Sequence, residues 1–279
     1  MDLIDIQHIF NRALSLTFNK KKMFWVFIIL MMCGLLAIFF RALGMYTGQW
    51  LTLSLNFLPV FLCAGVLLAT GVVLIRVYHN EVKKRPVSYS GIIAHSWDVI
   101  LGTAYLTTPL ILSYLLLWML LGVFFLLNEI PVVGGFFSVI LAFGPFLINL
   151  GSIILCVLSI SLLFFVAPVV ALKGLSQMQL SHLIAKRFHE DIFLNLFLAT
   201  IAVCPFLILF LLLSIAAFLT GSICHKCDDP VSTILQWFIM MVPFTAALSP
   251  AVIFFFNFAA EAHVLLQRRL RPSRVTVNK

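Results

Sequence analysis

Cys224-His225-Lys226-Cys227-Asp228-Asp229 is a dense polar run set between long apolar stretches. Two thiols at this spacing can close a small disulfide or help to hold a metal. A zinc site needs further ligands, and only His225, Asp228 and Asp229 stand near. Three readings are open for Cys224 and Cys227: a disulfide stapling a turn, an inert pair, and redox or metal chemistry. An oxidising compartment favours the first. No metal site and no cofactor are expected. Asn149, Asn257, Glu261 and His263 form a second group. Amides inside apolar segments either line a polar path or hydrogen-bond between helices. Glu261 and His263 could serve a relay, or form an interfacial ion pair with the nearby Arg268 and Arg269. Pro243 and Pro250 share one apolar stretch and allow a broken helix whose freed carbonyls coordinate an ion. Cys33, Cys63, Cys156 and Cys204 fall within apolar stretches and are expected to be packing residues. The sequence has no Walker loop, zinc-peptidase motif or nucleophile elbow. An enzyme is not expected.

The elements that must position these residues follow from composition. Of the 279 residues, 63% are hydrophobic and only 10% charged, and the mean hydropathy is +1.14. A soluble domain cannot cover that much apolar surface. Soluble enzyme, disordered chain and disulfide mini-scaffold are therefore set aside. Residues 23–40, 42–75, 99–128, 130–172, 192–225 and 230–260 contain no Asp, Glu, Lys or Arg. Each can hold the roughly 20 residues a transmembrane helix needs. Runs such as Phe206 to Leu213 lack the alternation of a barrel strand. The expected fold is an all-α, polytopic bundle of transmembrane helices.

Six spans with the N-terminus inside place all but Arg41 and Lys226 of the 18 lysines and arginines on the cytoplasmic side. A seventh span within 130–172 would divide them evenly. Six spans and two cytoplasmic termini are thus predicted, and residues 131–144 are read as re-entrant or interfacial. Lys20-Lys21-Lys22 resembles the flank of a signal sequence, but no cleavage site follows, so the first span is expected to remain. The net charge of +8 is then an effect of orientation, and no nucleic-acid partner is expected.

A threefold pattern runs along the chain. Short amphipathic segments precede spans one, three and five. Leu3, Ile6, Phe10, Ala13, Leu14 and Thr17 share one helical face in the first, and Tyr89, Ile92, Ile93, Trp97 and Ile100 in the second. In the third the face is Leu180, Leu183, Ile184, Phe188 and Ile192, with Lys186 and Arg187 beside it. The whole chain, 1–279, reads as one membrane domain of repeat-like units at about 1–79, 80–172 and 173–267, with a basic tail over 268–279. Each unit is a helical hairpin preceded by an interfacial helix. Such helices lie in the headgroup layer or pack beneath the bundle as caps.

Phe165-Val166-Ala167-Pro168-Val169-Val170-Ala171-Leu172-Lys173-Gly174-Leu175-Ser176 resembles a stretch of a bacterial multi-span family. That family includes the membrane domain of glycerophosphoryl diester phosphodiesterase-type proteins. Arg85-Pro86-Val87-Ser88 is similar as well. Lys173 stands where that family's pattern has an acid, and the Ser-Trp pair of its third helix is matched only by Ser96-Trp97 in the second. The resemblance implies a six-helix bundle in the bacterial inner membrane and no particular reaction.

The function expected is that of a non-catalytic membrane scaffold or complex subunit. Its partners would be membrane lipid and other membrane proteins or further copies of itself. Lipid would be engaged through Leu180, Leu183, Ile184, Lys186, Arg187 and Phe188. The alternatives are a small transporter or channel for a neutral or weakly charged substrate, which needs a polar path, and a membrane-embedded enzyme, which needs convergent polar side chains.

Overall fold

In the computed structural model, the regular structure of the described residues is entirely α-helical. The residues described are 3–45, 47, 49–85, 91–92, 94, 97–128, 130, 143–173, 192–221 and 230–269. A short α1 (Leu3–Ser15) precedes α2 (Lys20–Gly44) and α3 (Gln49–Val82). Then come α4 (Trp97–Tyr105), α5 (Thr108–Asn128), α6 (Gly144–Lys173), α7 (Ile192–Gly221) and α8 (Pro230–Arg269). Among the described residues, six spans are long and apolar enough to cross a membrane, the third running through α4 into α5. With these spans the chain is a multi-pass membrane protein.

The membrane fit can be read from α2. Lys22 and Arg41 bound its apolar run, and about 29 Å of helix separates them at 1.5 Å per residue. A hydrocarbon core is about 30 Å thick. At the Arg41 end the guanidinium lies over the Trp237 ring of α8, 4.1 Å from its centroid. At the Lys22 end the helix is held by charge, as described below.

Proline interrupts one span and not the others. Pro109 lacks an N–H to give to Tyr105 and its ring crowds that carbonyl. The helix breaks there, and α5 restarts with Pro109 in its first turn. By contrast α8 remains helical through Pro243 and Pro250, so the broken helix that they would allow does not form. At Pro250 the reason is visible. The carbonyl of Ala246 loses its backbone donor, and the Ser249 hydroxyl donates to it instead at 2.9 Å.

The spans divide into an inner and an outer set. Within the most apolar 18 residues of each, 61% are buried in α3, 44% in α6 and 44% in α8, against 6% in α2, 24% in the α4–α5 span and 11% in α7. Helices α3, α6 and α8 touch one another. The outer helices pack against them: α2 on α3 and α8, α5 on α3 and α6, and α7 on α8. Close approach depends on Gly71 of α3. A Cβ there would stand 2.1 Å from the Phe256 ring of α8. Aromatic packing continues the seam, with Phe164 and Phe255 edge to face at 6.0 Å.

Helix α1 packs on α8. Ile9, Ala13 and the following Thr17 are buried, Phe10 meets Phe254 edge to face at 5.1 Å, and Leu14 is exposed. The buried face is thus turned slightly from the one expected, and α1 is a packed cap on the bundle. In the second amphipathic segment Trp97 is exposed and Ile92 and Ile100 are half-buried, while Tyr89 and Ile93 lie outside the described residues. Of the third segment only Ile192, the first residue of α7, is described; Leu180, Leu183, Ile184, Lys186, Arg187 and Phe188 lie outside the described residues. So do Cys224, Cys227 and residues 131–142.

Candidate functional site

The polar chemistry of the described residues gathers where α1, the start of α2 and the ends of α3, α6 and α8 meet. Local sequence sets the approach. Thr17 donates its hydroxyl to Ala13 O at 2.8 Å, tying off the end of α1. Asn19 then caps α2, its Oδ1 accepting from the Lys21 amide at 3.2 Å. The same side chain donates through Nδ2 to Glu81 Oε1 at 3.1 Å. Asn19 therefore begins one helix and tethers the last turn of another.

Lys22 is fully buried and pairs with Glu81, which is only 14% exposed. Its ammonium also lies 3.4 Å from Leu16 O and 5.7 Å from the centroid of the Tyr78 ring. A cation in the first turn of a helix opposes the helix dipole, and an isolated charge in an apolar setting is costly. Glu81 answers both problems. The α3 helix ends just beyond it, with Arg85 N donating to Asn80 O at 3.0 Å and Lys84 in the left-handed region at φ 53°.

Glu261 of α8 organises the neighbouring half of the site. Tyr78 Oη donates to Glu261 Oε1 at 2.7 Å, and Arg12 Nε approaches the same oxygen at 3.5 Å. Arg76 Nε donates to Ala171 O at 3.2 Å, which fastens α3 to the end of α6. Between α1, α3, α6 and α8 lies a cavity of about 390 Å³. His8, Arg12, Tyr78, His79, Lys83 and Glu261 supply its polar wall, and Ile9, Ile75, Leu172 and Leu265 its apolar wall.

The residues that could line a polar path or join helices separate into two places. Asn257 is fully buried one turn from Glu261, and its Nδ2 donates to Ala13 O at 3.4 Å. His263 is buried close by on the same helix. Asn149 is near the start of α6, about 35 Å of helix from Leu172 at the cavity. Asn257 and Glu261 thus join helices at one end, and Asn149 stands near the other. Glu261 is joined to Arg12 and Tyr78 of other helices; the side chains of Arg268 and Arg269, its possible ion-pair partners by sequence, lie outside the described residues.

Lys22, Tyr78, Glu81 and Arg12 were not singled out by the sequence reading. A signal existed for Lys22 and Glu81, which are among the first charges beyond an apolar stretch, and both acids, Glu81 and Glu261, face a basic excess. Among the described residues, no group of three or more His, Cys, Asp or Glu side chains could hold a metal. Comparisons of the chain with family models, curated proteins and solved structures find no match.

Proposed function

We propose that the protein is a non-catalytic scaffold or complex subunit of a bacterial inner membrane, related to the multi-span family it resembles, and that it engages lipid. Both termini and the Lys22–Glu81 end face the cytoplasm in this reading. The observation that carries it is the use made of the charges. Lys22 with Glu81, and Arg12 with Glu261, join helices. They do not mark stages along a passage between the two ends. Fixed cross-helix pairs suit a body that holds its shape while partners and lipids assemble around it. Lys83, a basic side chain on the cavity wall, suits contact with an anionic membrane surface.

Purification of the full chain in mild detergent, with lipids and proteins identified by mass spectrometry, tests the reading. A partner membrane protein or a second copy is expected, together with retained lipid. Solute uptake by vesicles containing only this protein, or turnover of a substrate by the purified chain, would overturn it. Reporters fused after Arg187 and Lys279 are expected to read cytoplasmic, and one at Lys226 external.

A further inference from the structure

Deeper in the bundle is a second cavity, of about 350 Å³, within the size range of roughly 300–1,000 Å³ usual for small-molecule sites. Small side chains create it: Ala37 on α2, Pro59, Cys63 and Ala64 on α3, and Cys156 and Ser159 on α6. Large ones, Leu67, Leu163, Phe206 and Phe255, form the rest of its wall. Cys63 lies about 22 Å of helix from Tyr78, and Cys156 about 24 Å from Leu172. The cavity therefore occupies the middle and far part of the membrane layer, away from the charged end.

The chemistry of the wall selects the occupant. Ser159 offers the lining a hydroxyl, but donates it to Leu155 O of its own helix at 2.9 Å. The remaining surface is hydrocarbon and thiol, so a polar solute would lose its hydration with nothing in return. Helix α7 packs on α8 and makes no comparable contact with α6 among the described residues, although Phe206 of α7 and Cys156 of α6 line the same cavity. Two lining residues, Val60 at 46% and Ile160 at 38% exposure, also reach the outer surface, as does Leu207, the neighbour of the lining Phe206 on α7. Towards the charged end the floor is closed by the unbroken buried runs 164–171 and 251–260.

We propose that this cavity is a binding site for one acyl chain of a membrane phospholipid, entering between α6 and α7 from the Arg41 side of the bilayer. The proposal rests on the lipid-engaging reading above and assigns it a place within the bundle. The chain fills space that the protein's own side chains leave, and it bridges α6 and α7. Its headgroup remains outside the cavity.

The test uses the full-length protein, purified in mild detergent and examined by native mass spectrometry. Wild type is expected to retain one phospholipid per chain. Ala64→Phe and Cys156→Phe, which fill the cavity from opposite walls, are expected to lower the retained fraction at least tenfold. Leu211→Phe on the lipid-facing surface should not. Equal retention in both filled variants overturns the proposal, as does recovery of a free fatty acid or of a second copy in place of the phospholipid. If retention is lost only in Lys83→Glu, the cavity site falls and the lipid-engaging reading stands. If wild type retains no lipid, both fall. A readout independent of variant folding comes from wild type irradiated with a phospholipid carrying a diazirine near the end of its acyl chain. Adducts on Cys63, Cys156 or Phe206 are expected; labelling confined to surface residues such as Leu211 and Leu212 overturns the proposal.

Discussion

The two halves of the bundle are built on different principles. In the half that carries Lys22, Glu81 and Glu261, residues 164–170 of α6 and 251–260 of α8 are buried without a break. A helix buried on every side is surrounded by protein. In the other half burial falls to single stripes: Met241, Thr245 and Ser249 on α8, and Ile148, Ser152 and Ser159 on α6. Leu115, Leu116, Met119, Leu207, Leu211 and Leu235 face outward there. Lipid tails are as apolar as leucine, so no hydrophobic force draws these surfaces together. Close packing and polar contacts must hold membrane helices to one another, and this chain concentrates both at one end. The far half has the Arg41–Trp237 contact and one-sided packing, which leaves room for a lipid chain.

The largest test of this contrast removes Glu81. Its partner Lys22 is fully buried, so Glu81→Leu strands an ammonium with only Leu16 O and the Tyr78 ring nearby. Breaking a buried pair from one side costs about 3–5 kcal/mol. The expected result is a large fall in resistance to denaturant in detergent. Adding Lys22→Met should restore most of the loss, because an apolar pair of similar size needs no solvation. Arg12→Met, at a side chain 41% exposed, should cost no more than about 1 kcal/mol. If Glu81→Leu is as mild as Arg12→Met, the charged end is not the clasp described here.

Glycines provide the next comparison. At Gly71 a new Cβ meets the ring of Phe256, and an aromatic ring in a full core has nowhere to go. Gly71→Ala is expected to cost about 1–3 kcal/mol. At Gly122, on α5 in the other half, a Cβ meets nothing within 4 Å. Gly122→Ala should be neutral or should stabilise by up to about 1 kcal/mol through helix propensity. Thermal unfolding midpoints of the two variants in one detergent measure the difference, and equal shifts would break the comparison between halves.

The bundle was legible in the sequence because charge avoidance in hydrocarbon is severe. The charge-free stretch 130–172 yields one long described helix, α6, as the basic-residue bias required. The division into inner and outer spans was not legible. Mean apolarity is similar in α7, which lies outside, and α6, which lies inside, and burial depends on which neighbour each face meets. The candidate site was legible in part. Glu261 and Asn257 were named, yet their partners Arg12, Tyr78 and Ala13 are far away in the chain, and single-chain spacing carries no such pairing. Nor does spacing within α3 reveal Gly71, whose role is to admit Phe256 from another helix.

The smallest expected effect concerns the two asparagines once grouped together. Asn257→Leu removes a donor from Ala13 O, but Thr17 still donates to that carbonyl at 2.8 Å. The Asn257 Oδ1 is buried and has no hydrogen-bond partner among the described residues, so its removal also relieves a cost. A net hydrogen bond is worth about 0.5–1.5 kcal/mol, and the relief offsets part of it. The global loss should therefore stay near or below about 1 kcal/mol. The sharper readout is local: α1 is held on α8 by Phe10, Ala13 and this bond, so limited proteolysis should cut residues 1–19 faster in Asn257→Leu than in wild type. Asn149→Leu, half-buried at the far end of α6, should leave that cleavage rate unchanged. An equal effect of the two substitutions on α1 would mean that the ends of the bundle are coupled along its length, and that the far half is not independent of the clasp.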